Sequence, residues 1–418
     1  MPRHSRPGGR SWKRILLVPT ALVGVIALLA VVSLIGALRT PGNQSLSAKW
    51  ADWLRSHHAA PLASAMEQFY YSHNAPAKGG RPKGLNAVPG GGRTPGSRPA
   101  GQNGLTSISH LPAPSPVPLV VSPALPGEGQ WQPTGVTVDG IPAMYEAQFR
   151  ADQIYTSQIT SAVWMDPTLL KLSLIPGAQE PGGTWPQTPY INSTQLPNAV
   201  AAFNGGFRMQ DAHGGFYLDG IQRVPLQPGA ASMVIYSNGR INIGTWGSEV
   251  TMTPQVVAVL QNLVPLVDHG QAAPDATYSD TRIWGATLGA NTVVARSGIG
   301  VTADGALVYV AGPALTAKSL AESLQRVGAV RAMSLDINPE WVTFNFFEHS
   351  PTNPSAVTGV KLYPQMQRPA DRYLGPTRES RDFFLVSLPP TGGSAPSSGA
   401  VSPSGAVSPA GAVTSPGA

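Results

Sequence analysis

The chain has 418 residues and no cysteine, so a disulfide framework, a cysteine–zinc site and a thiol nucleophile are excluded. Its formal charge of +6 is unevenly distributed: residues 1–100 carry 13 Lys and Arg against 2 Asp and Glu, and the remainder carries 15 against 20. Because nucleic-acid binding needs a clustered basic surface, the mildly acidic remainder argues against a nucleic-acid partner.

An uncharged apolar run follows a basic tail at the N-terminus. Residues 1–14 hold five Lys and Arg, and residues 15–38 read ILLVPTALVGVIALLAVVSLIGAL. A helix of this length reaches roughly 36 Å and could cross a ~30 Å hydrocarbon core, whereas a cleaved signal peptide has a shorter apolar segment. The sequence therefore predicts a single-pass anchor, with a cytoplasmic N-terminus and an extracytoplasmic domain by the positive-inside rule.

Composition predicts three further segments outside the folded part. Residues 39–74 contain tryptophans at helical spacing and are interpreted as a juxtamembrane helical stalk. Residues 75–129 are rich in Pro, Gly, Ser and Ala, cannot bury enough apolar surface to offset chain entropy, and are interpreted as a linker. Residues 389–418 repeat uncharged GAVSP-like units and are interpreted as a disordered tail. The folded domain is thereby placed at residues 130–388.

Turn signals indicate hairpins within residues 130–388. Three Asx-Gly dipeptides lie between runs rich in β-branched and aromatic residues. They are Asp219-Gly220, Asn238-Gly239 and Asp304-Gly305. The clearest helix is TAKSLAESLQRVG, which Thr316 would cap and Gly328 would end, and a second helix is predicted over TPQVVAVLQNLVPLVDHG. The pattern predicts an α+β fold with a mixed or largely antiparallel sheet built from hairpins and two or three packed helices.

A strand predicted after the first helix carries a carboxylate at its end. In AVRAMSLDINPEW, alternation places Met333, Leu335 and Ile337 on one face and Asp336 on the other. A carboxylate in this position, before Asn338-Pro339, belongs either to a functional site or to a turn.

Three stretches of the chain resemble the phosphodiester glycosidase family in order and spacing. They are VAAFNGGFRMQDAHGGFYLDG, ARSGIGVTADGALVYVAG and LTAKSLAESLQRVGAVRAMSLD, within about residues 195–340. The resemblance implies a hydrolase of glycosyl phosphodiesters and a pocket formed by Asn204, Gly205, Arg296 and Asp336. The chain departs from the family where a Gly-rich turn follows the aspartate, because residues 337–341 read INPEW.

The resemblance also implies chemical roles. Arg296 would bind a phosphate oxygen, and Asp336 would act as general base, nucleophile or electrostatic partner of the sugar cation. Asn204 would bind a sugar hydroxyl or orient a water. Apart from the resemblance, Glu340 lies four residues past Asp336 and would be the second carboxylate, serving as acid. The candidate substrate contacts are Gly205, Gly206, His213 and Trp341. Each position has a structural alternative, which is turn chemistry for the glycines, an ion pair for Arg296 and a solvated loop for His213 and Glu340. No metal or cofactor is predicted.

Two hypotheses of different class follow from these features. The first is a membrane-anchored bacterial hydrolase, able to sweep the nearby cell envelope and cleave glycosyl phosphodiesters of an envelope polymer or glycolipid. The second is a catalytically inactive relative that binds glycan or phosphate, or serves as an envelope scaffold. Asp336 and Arg296 facing each other across a cleft would favour the enzyme, and a cleft filled by Trp341 or sealed by Pro339 would favour the binding module.

Overall fold

The computed structural model describes residues 12–40, 43–59, 61–63, 65–66, 76–89, 108–277, 283–285 and 292–389; the side chains of residues 12–23 and 26 are outside that description. The basic tail before residue 12, the linker at 90–107 and the tail from residue 390 also lie outside the described residues. The domain boundaries given above remain predictions.

Strands dominate the described chain. The helices are α1 (Trp12–Leu38), α2 (Leu46–Ser56), α3 (Met209–Ala212) and α4 (Ala317–Arg326), with a 3-10 turn at Leu196–Asn198. The strands of the first half are β1 (Gln132–Val138), β2 (Ile141–Phe149), β3 (Thr160–Met165), β4 (Lys171–Ile175), β5 (Ala199–Asn204), β6 (Phe216–Leu218), β7 (Ile221–Val224), β8 (Ala231–Tyr236) and β9 (Ile241–Thr245). The others are β10 (Val256–Gln261), β11 (Pro265–Asp268), β12 (Gln271–Ala272), β13 (Val294–Thr302), β14 (Leu307–Leu315), β15 (Ala329–Ser334), β16 (Phe344–Ser350), β17 (Asn353–Lys361) and β18 (Phe383–Ser387).

The strands form three sheets. The largest has eight strands in the order β1-β2-β3-β14-β13-β15-β11-β12, and the two five-stranded sheets run β7-β6-β10-β8-β9 and β17-β16-β5-β18-β4. The pairings within these sheets are antiparallel. The predicted α+β fold with a largely antiparallel sheet is confirmed.

The eight-stranded sheet buries both of its faces. Along β14, Tyr309 joins an aromatic cluster with Phe203 and Phe344, while Val308 and Val310 point to the opposite face and pack with α4. Alternate residues of a strand face opposite sides, so one strand serves two cores. The core on the Tyr309 side is shared with the other two sheets, which brings their strand ends together.

The predicted hairpins are confirmed. The pairs β6–β7, β8–β9 and β13–β14 are each antiparallel neighbours. The glycines that close them, Gly220, Gly239 and Gly305, all have positive φ between 84° and 94°. Glycine adopts this conformation without a Cβ penalty, which is why the Asx-Gly pairs locate these turns correctly.

One predicted helix is confirmed and the other is wrong. Thr316 caps α4 by accepting a hydrogen bond from Ser319 N at 3.0 Å, and Ser319 Oγ accepts from Thr316 N at 2.9 Å. TPQVVAVLQNLVPLVDHG instead forms β10 and β11. Its valines are β-branched and fit a pleated sheet. Residues 262–264 separate the two strands, and Leu263 among them has a left-handed backbone (φ 57°).

The N-terminal helices pack against each other. Trp50 Nε1 on α2 donates to Ser33 Oγ on α1 at 2.9 Å, and a Cβ on Gly36 would lie 2.1 Å from Trp53 Nε1. The absent side chain of Gly36 therefore permits the close contact of α1 with α2. Within the part of the chain whose atoms are described, no helix is both long and apolar enough to cross a membrane.

Candidate active site

Three strands from two sheets end at the same place. Strand β5 ends at Asn204, Asp336 follows β15 by two residues, and Asp382 immediately precedes β18. Phe383 pairs with Asn204 across β5 and β18, and Asp336 O accepts a hydrogen bond from Ser297 N on β13 at 2.9 Å. The three polar side chains are thereby gathered at one edge of the core.

Asp336 is a buried, ion-paired carboxylate. Its side chain is 3% exposed, Oδ2 accepts from Arg381 Nη1 at 2.7 Å, and Oδ1 accepts from Asn338 N at 2.8 Å. Burial raises the pKa of Asp336, while the Arg381 charge and the backbone N–H groups of Asn338 and Ile337 oppose the rise. The Asn338 contact is an Asx turn, so the same aspartate belongs both to a turn and to a cluster of charges.

Asp382 is a second buried carboxyl in a different state. Both of its oxygens are fully buried and have no hydrogen-bond partner among the described residues. Burial and then the negative charge of Glu180 raise the pKa of Asp382 to about 8; Asp336 adds to the rise and Arg381 opposes it. At neutral pH Asp382 is therefore mostly a protonated acid beside an ion-paired carboxylate.

The glycines after β5 make room for these side chains. A Cβ on Gly205 would lie 1.9 Å from Asp382 Oδ2, and a Cβ on Gly206 would lie 3.0 Å from the Asn262 amide. The backbone is thus bare at Gly205 because the Asp382 carboxyl occupies the space of its side chain. Asn262 uses its own amide to join strands, accepting from Phe207 N and donating to the carbonyl of Ser334.

Asn204 holds the backbone at Asp336 in place. Its Nδ2 donates to Ser297 Oγ at 3.0 Å, and its Oδ1 accepts from Tyr309 Oη at 3.0 Å and from Thr343 N at 3.1 Å. Ser297 Oγ in turn accepts from Asp336 N at 3.2 Å. Asn204 is buried and its amide groups are engaged by the fold, so it acts as a positioning residue rather than a sugar contact.

Arg296 does not face Asp336. Its guanidinium is 1% exposed and donates to the backbone carbonyls of Leu315, Trp284, Gly285 and Thr292. Burial lowers the pKa of Arg296 to about 10, so it stays charged at neutral pH. Arg296 and Asp336 facing each other across a cleft, the arrangement that would have favoured the enzyme, is not found, because Arg296 binds carbonyls of β14 and of residues that precede β13. Arg381 is the arginine that contacts Asp336.

Glu340 and Trp341 lie in a network of arginines. Glu340 Oε1 pairs with Arg368 Nη1 at 2.8 Å and is buried, in contrast to the solvated turn residue considered as its alternative. The ring of Trp341 is contacted by Arg381 at 4.2 Å, Arg372 at 5.2 Å and Arg368 at 5.9 Å. Cation–π contacts of this kind order the guanidinium groups. Glu340 thus forms an ion pair with Arg368, and the Trp341 ring packs against the guanidinium of Arg381.

A segment from the N-terminal part lies against this network. Residues 43–52, here called the strap, include Ser45, whose N and Oγ donate to Glu340 at 2.7 Å and 2.6 Å. Asp52 forms an ion pair with Arg208 at 2.9 Å, and Asn43 Nδ2 donates to Arg372 O at 3.0 Å. The segment interpreted as a stalk therefore contacts the folded domain beside the candidate site.

His213 lies apart from these contacts. It is exposed, has a left-handed backbone (φ 49°) and ends the one-turn helix α3. No described contact joins it to Asp336, Arg381 or Asp382. The structure therefore gives His213 the loop position that was considered as its structural alternative.

One group of side chains has the composition of a metal site. The ligand atoms of Glu249, Asp268 and His269 lie within 4.8 Å of one another near the surface. Arg331 Nε already pairs with Glu249 Oε1 at 2.9 Å and lies 3.9 Å from Asp268 Oδ1. Because this cation neutralises the same oxygens, the group fits an ion-pair network better than a metal site.

The sequence reasoning missed Arg381, Asp382 and Glu180. Arg381 and Asp382 directly precede FFLV, a wholly apolar and buried stretch of β18. A charged pair adjoining a buried strand in a chain with only 12% charged residues is a usable signal, because charges rarely approach a core without partners. Glu180 has no comparable sequence signal.

Comparisons with known proteins agree with the resemblance. Residues 197–336, about a third of the chain, match the family model described as phosphodiester glycosidase. Among solved structures, the catalytic domain of zebrafish N-acetylglucosamine-1-phosphodiester alpha-N-acetylglucosaminidase, auto-inhibited by its pro-peptide, is 13% identical with a TM-score of 0.38, covering 59% of this chain and 83% of that one. A hypothetical protein from Synechocystis is 12% identical with a TM-score of 0.31, covering 62% and 64%. These two scores are too low to support an argument. A search of curated proteins gave no significant match.

Proposed function

We propose, because residues 197–336 match the phosphodiester glycosidase family model, that this chain hydrolyses glycosyl phosphodiesters at the pair formed by Asp336 and Asp382. The observation that carries the proposal is the unlike state of the two carboxyls. Asp336 is held by Arg381, and Asp382 is buried without a partner and has its pKa raised to about 8. Glycoside hydrolysis uses one carboxylic acid and one carboxylate, and unlike environments assign these roles.

Arg381 takes the phosphate-binding role that the sequence assigned to Arg296. Its Nη1 donates to Asp336, and its Nε and Nη2 have no described partner. Its side chain is 12% exposed, whereas Arg296 is enclosed by carbonyls. A planar guanidinium with two further donors suits two phosphate oxygens. Binding there would place the anomeric carbon near both carboxyls.

The reaction breaks the bond between the anomeric carbon and the phosphate oxygen. The departing oxygen keeps the electron pair, which Arg381 stabilises, and receives the proton of Asp382. Asp336 either attacks the anomeric carbon or removes a proton from the attacking water. In both cases water supplies the new hydroxyl of the sugar, and its proton restores the carboxyl pair.

The test is release of sugar by the full-length protein from a panel of sugar-1-phosphodiesters. We expect Asp336→Asn and Asp382→Asn to lower kcat by 10²-fold or more, the usual size of an acid–base contribution. Asp371→Asn, an exposed aspartate beside the arginine network, is the matched control and should leave turnover unchanged. Turnover that survives in both site variants would refute the proposal. The anomeric configuration of the product decides between attack by Asp336 and attack by water.

A non-catalytic binding module is the second candidate function. The observation that favours it is that Asp336 and Asp382 are each 3% exposed and that the strap contacts the network around Trp341. A folded protein that binds sugar-1-phosphodiesters in titrations, without releasing sugar from any of them, would support this candidate.

We also propose that residues 15–38 anchor the chain, with the folded domain outside the cytoplasm and an envelope glycosyl phosphodiester as substrate. The support is the uncharged apolar run after a basic tail, together with the exposure of large apolar side chains between Val25 and Leu38 of α1. Protease digestion of intact and permeabilised cells tests the orientation. Digestion of the domain only after permeabilisation would refute it.

A further inference from the structure

An apolar groove begins next to the candidate site. Its cavity volume is about 410 Å³, and Asn338 and Glu340 are among the residues that line it. One wall is the face of α2 that carries Trp50, Ala51 and Leu54. Asn338 N donates to Asp336 Oδ1, so a residue that lines the groove is directly bonded to the proposed catalytic carboxylate.

Ala63 and Met66 are further apolar residues of the lining; Ala63 is buried, and Met66 is 41% exposed. The polar residues Ser47 and Gln367 also line the groove. Pockets of this kind bind the apolar part of a ligand, and the few polar groups at one end fix its orientation. Here the polar groups include Asn338 and Glu340 of the turn that follows Asp336.

The groove lies at the base of α1. Trp50, which lines the groove, also bonds Ser33 of α1. Six residues, at most about 25 Å of chain, lie between Leu38, the last residue of α1, and Ser45, which bonds Glu340. In the C-terminal part of α1, eight of the described large apolar side chains are exposed. They are Val25, Leu28, Leu29, Val31, Val32, Leu34, Ile35 and Leu38. If these side chains lie in hydrocarbon, the groove opens at the membrane surface.

We propose that the groove holds the hydrocarbon chain of a lipid whose phosphate carries the sugar. The inference rests on the proposed function, which it narrows to lipid-linked glycosyl phosphodiesters. The phosphate lies at Arg381, the sugar lies by Asp336 and Asp382, and the hydrocarbon follows the wall of α2 towards α1. Hydrolysis then leaves the lipid as a phosphate monoester in the membrane and releases the sugar to water. The strap fixes the domain close to its anchor, in contrast to the free sweep expected from the sequence.

The test uses substrates that differ only in the alkyl chain on the phosphate, from methyl to dodecyl, with the full-length protein in an amphipol. We expect kcat/KM to rise by up to about fourfold per buried methylene until the groove is full. Met66→Glu places a charge in the groove's lining and should remove this rise without changing turnover of the methyl substrate. Leu62→Glu, on the same segment but outside the groove lining and 53% exposed, is the matched control. Ala51→Phe fills the groove and should likewise remove the rise of kcat/KM with chain length.

Binding of methyl to dodecyl phosphate, measured by calorimetry below the micelle concentration, provides a readout without catalysis. Affinity that rises with chain length, and falls in Met66→Glu but not in Leu62→Glu, supports the inference even if no substrate is hydrolysed. Affinity independent of chain length overturns it, as does an equal loss in both variants, and then another part of the chain occupies the groove. Hydrolysis of the methyl substrate with no effect of chain length would keep the proposed function and refute only the lipid.

Discussion

Replacing Asp382 with asparagine tests whether this residue is a neutral acid in the folded protein. The amide has the shape of the carboxyl and cannot ionise. The two oxygens of Asp382 have no described hydrogen-bond partner, so the substitution breaks none of the described hydrogen bonds of its side chain. The main change is therefore the loss of one titrating group. The variant therefore reports on the protonation of Asp382 through its unfolding free energy, independently of any effect on turnover.

The expected effect follows from the pKa, which is 3.8 for an ordinary aspartate and about 8 for Asp382. Between these values the folded protein binds a proton that the unfolded chain has released. The free energy of unfolding of the wild type therefore falls as the pH rises between these two pKa values, by up to about 1.4 kcal/mol per pH unit. Asp382→Asn lacks this loss. The difference in free energy of unfolding between the variant and the wild type should therefore grow in favour of the variant by up to about 3 kcal/mol from pH 5 to pH 7.

The measurement is urea unfolding of the full-length wild type and variant at pH 5, 6 and 7 in the same amphipol. Asp139→Asn, in the exposed turn between β1 and β2, is the matched control and should run parallel to wild type. A gap between Asp382→Asn and wild type that stays constant with pH would refute the reasoning, because it would mean that Asp382 is ionised in the folded protein. The proposal that Asp382 is the general acid would then be refuted as well.

Four further substitutions have expected outcomes. Gly205→Ala should displace the Asp382 carboxyl and abolish turnover, with about 1–3 kcal/mol lost in urea unfolding; full activity would contradict the 1.9 Å approach. Arg381→Lys keeps a charge but loses the planar fork, so KM should rise about tenfold or more, and an unchanged KM would exclude Arg381 as the phosphate ligand. Arg296→Met leaves four backbone carbonyls, two of them in buried hydrogen bonds, without their donor and should cost about 3 kcal/mol of stability. A stable variant with only a raised KM would restore the phosphate-binding role implied by the resemblance. Thr316→Ala removes the cap of α4 and should cost about 1 kcal/mol in thermal unfolding without changing kcat, since the cap lies outside the carboxyl cluster.

Local signals in the sequence were sufficient for the hairpins and for α4. The hairpin turns need a residue with positive φ, which the glycine of an Asx-Gly pair supplies. The cap at Thr316 depends only on Ser319, three residues further along the chain. The segment that forms β10 and β11 was misassigned because a short apolar run reads equally well as helix or strand. Its partners β6, β8 and β15 are distant in sequence, and their pairing decides the outcome.

The site was predicted only in part, for a related reason. Asp336 was singled out because alternation placed it away from the apolar face of its strand and because the family resemblance included it. Arg381 and Asp382 were missed because they follow it by 45 residues or more and reach it only through the pairing of β18 with β5. Arg296 was assigned to phosphate by the family resemblance. The sequence does not reveal that this side chain is buried, because the carbonyls that bind it come from backbone with no identifiable residue type.

The position of β18 in its sheet has a consequence for biosynthesis. This strand is the last one in the described chain, yet it lies between β5 and β4. At about 5–20 residues per second, roughly 10–40 s separate the synthesis of β5 from that of β18. Throughout that interval the apolar edges of β5 and β4 have no partner, and Asp336 has no Arg381. Catalytic competence should therefore arise in a single late step, after the whole domain has left the ribosome, and a chain truncated before residue 381 should be inactive and prone to aggregate.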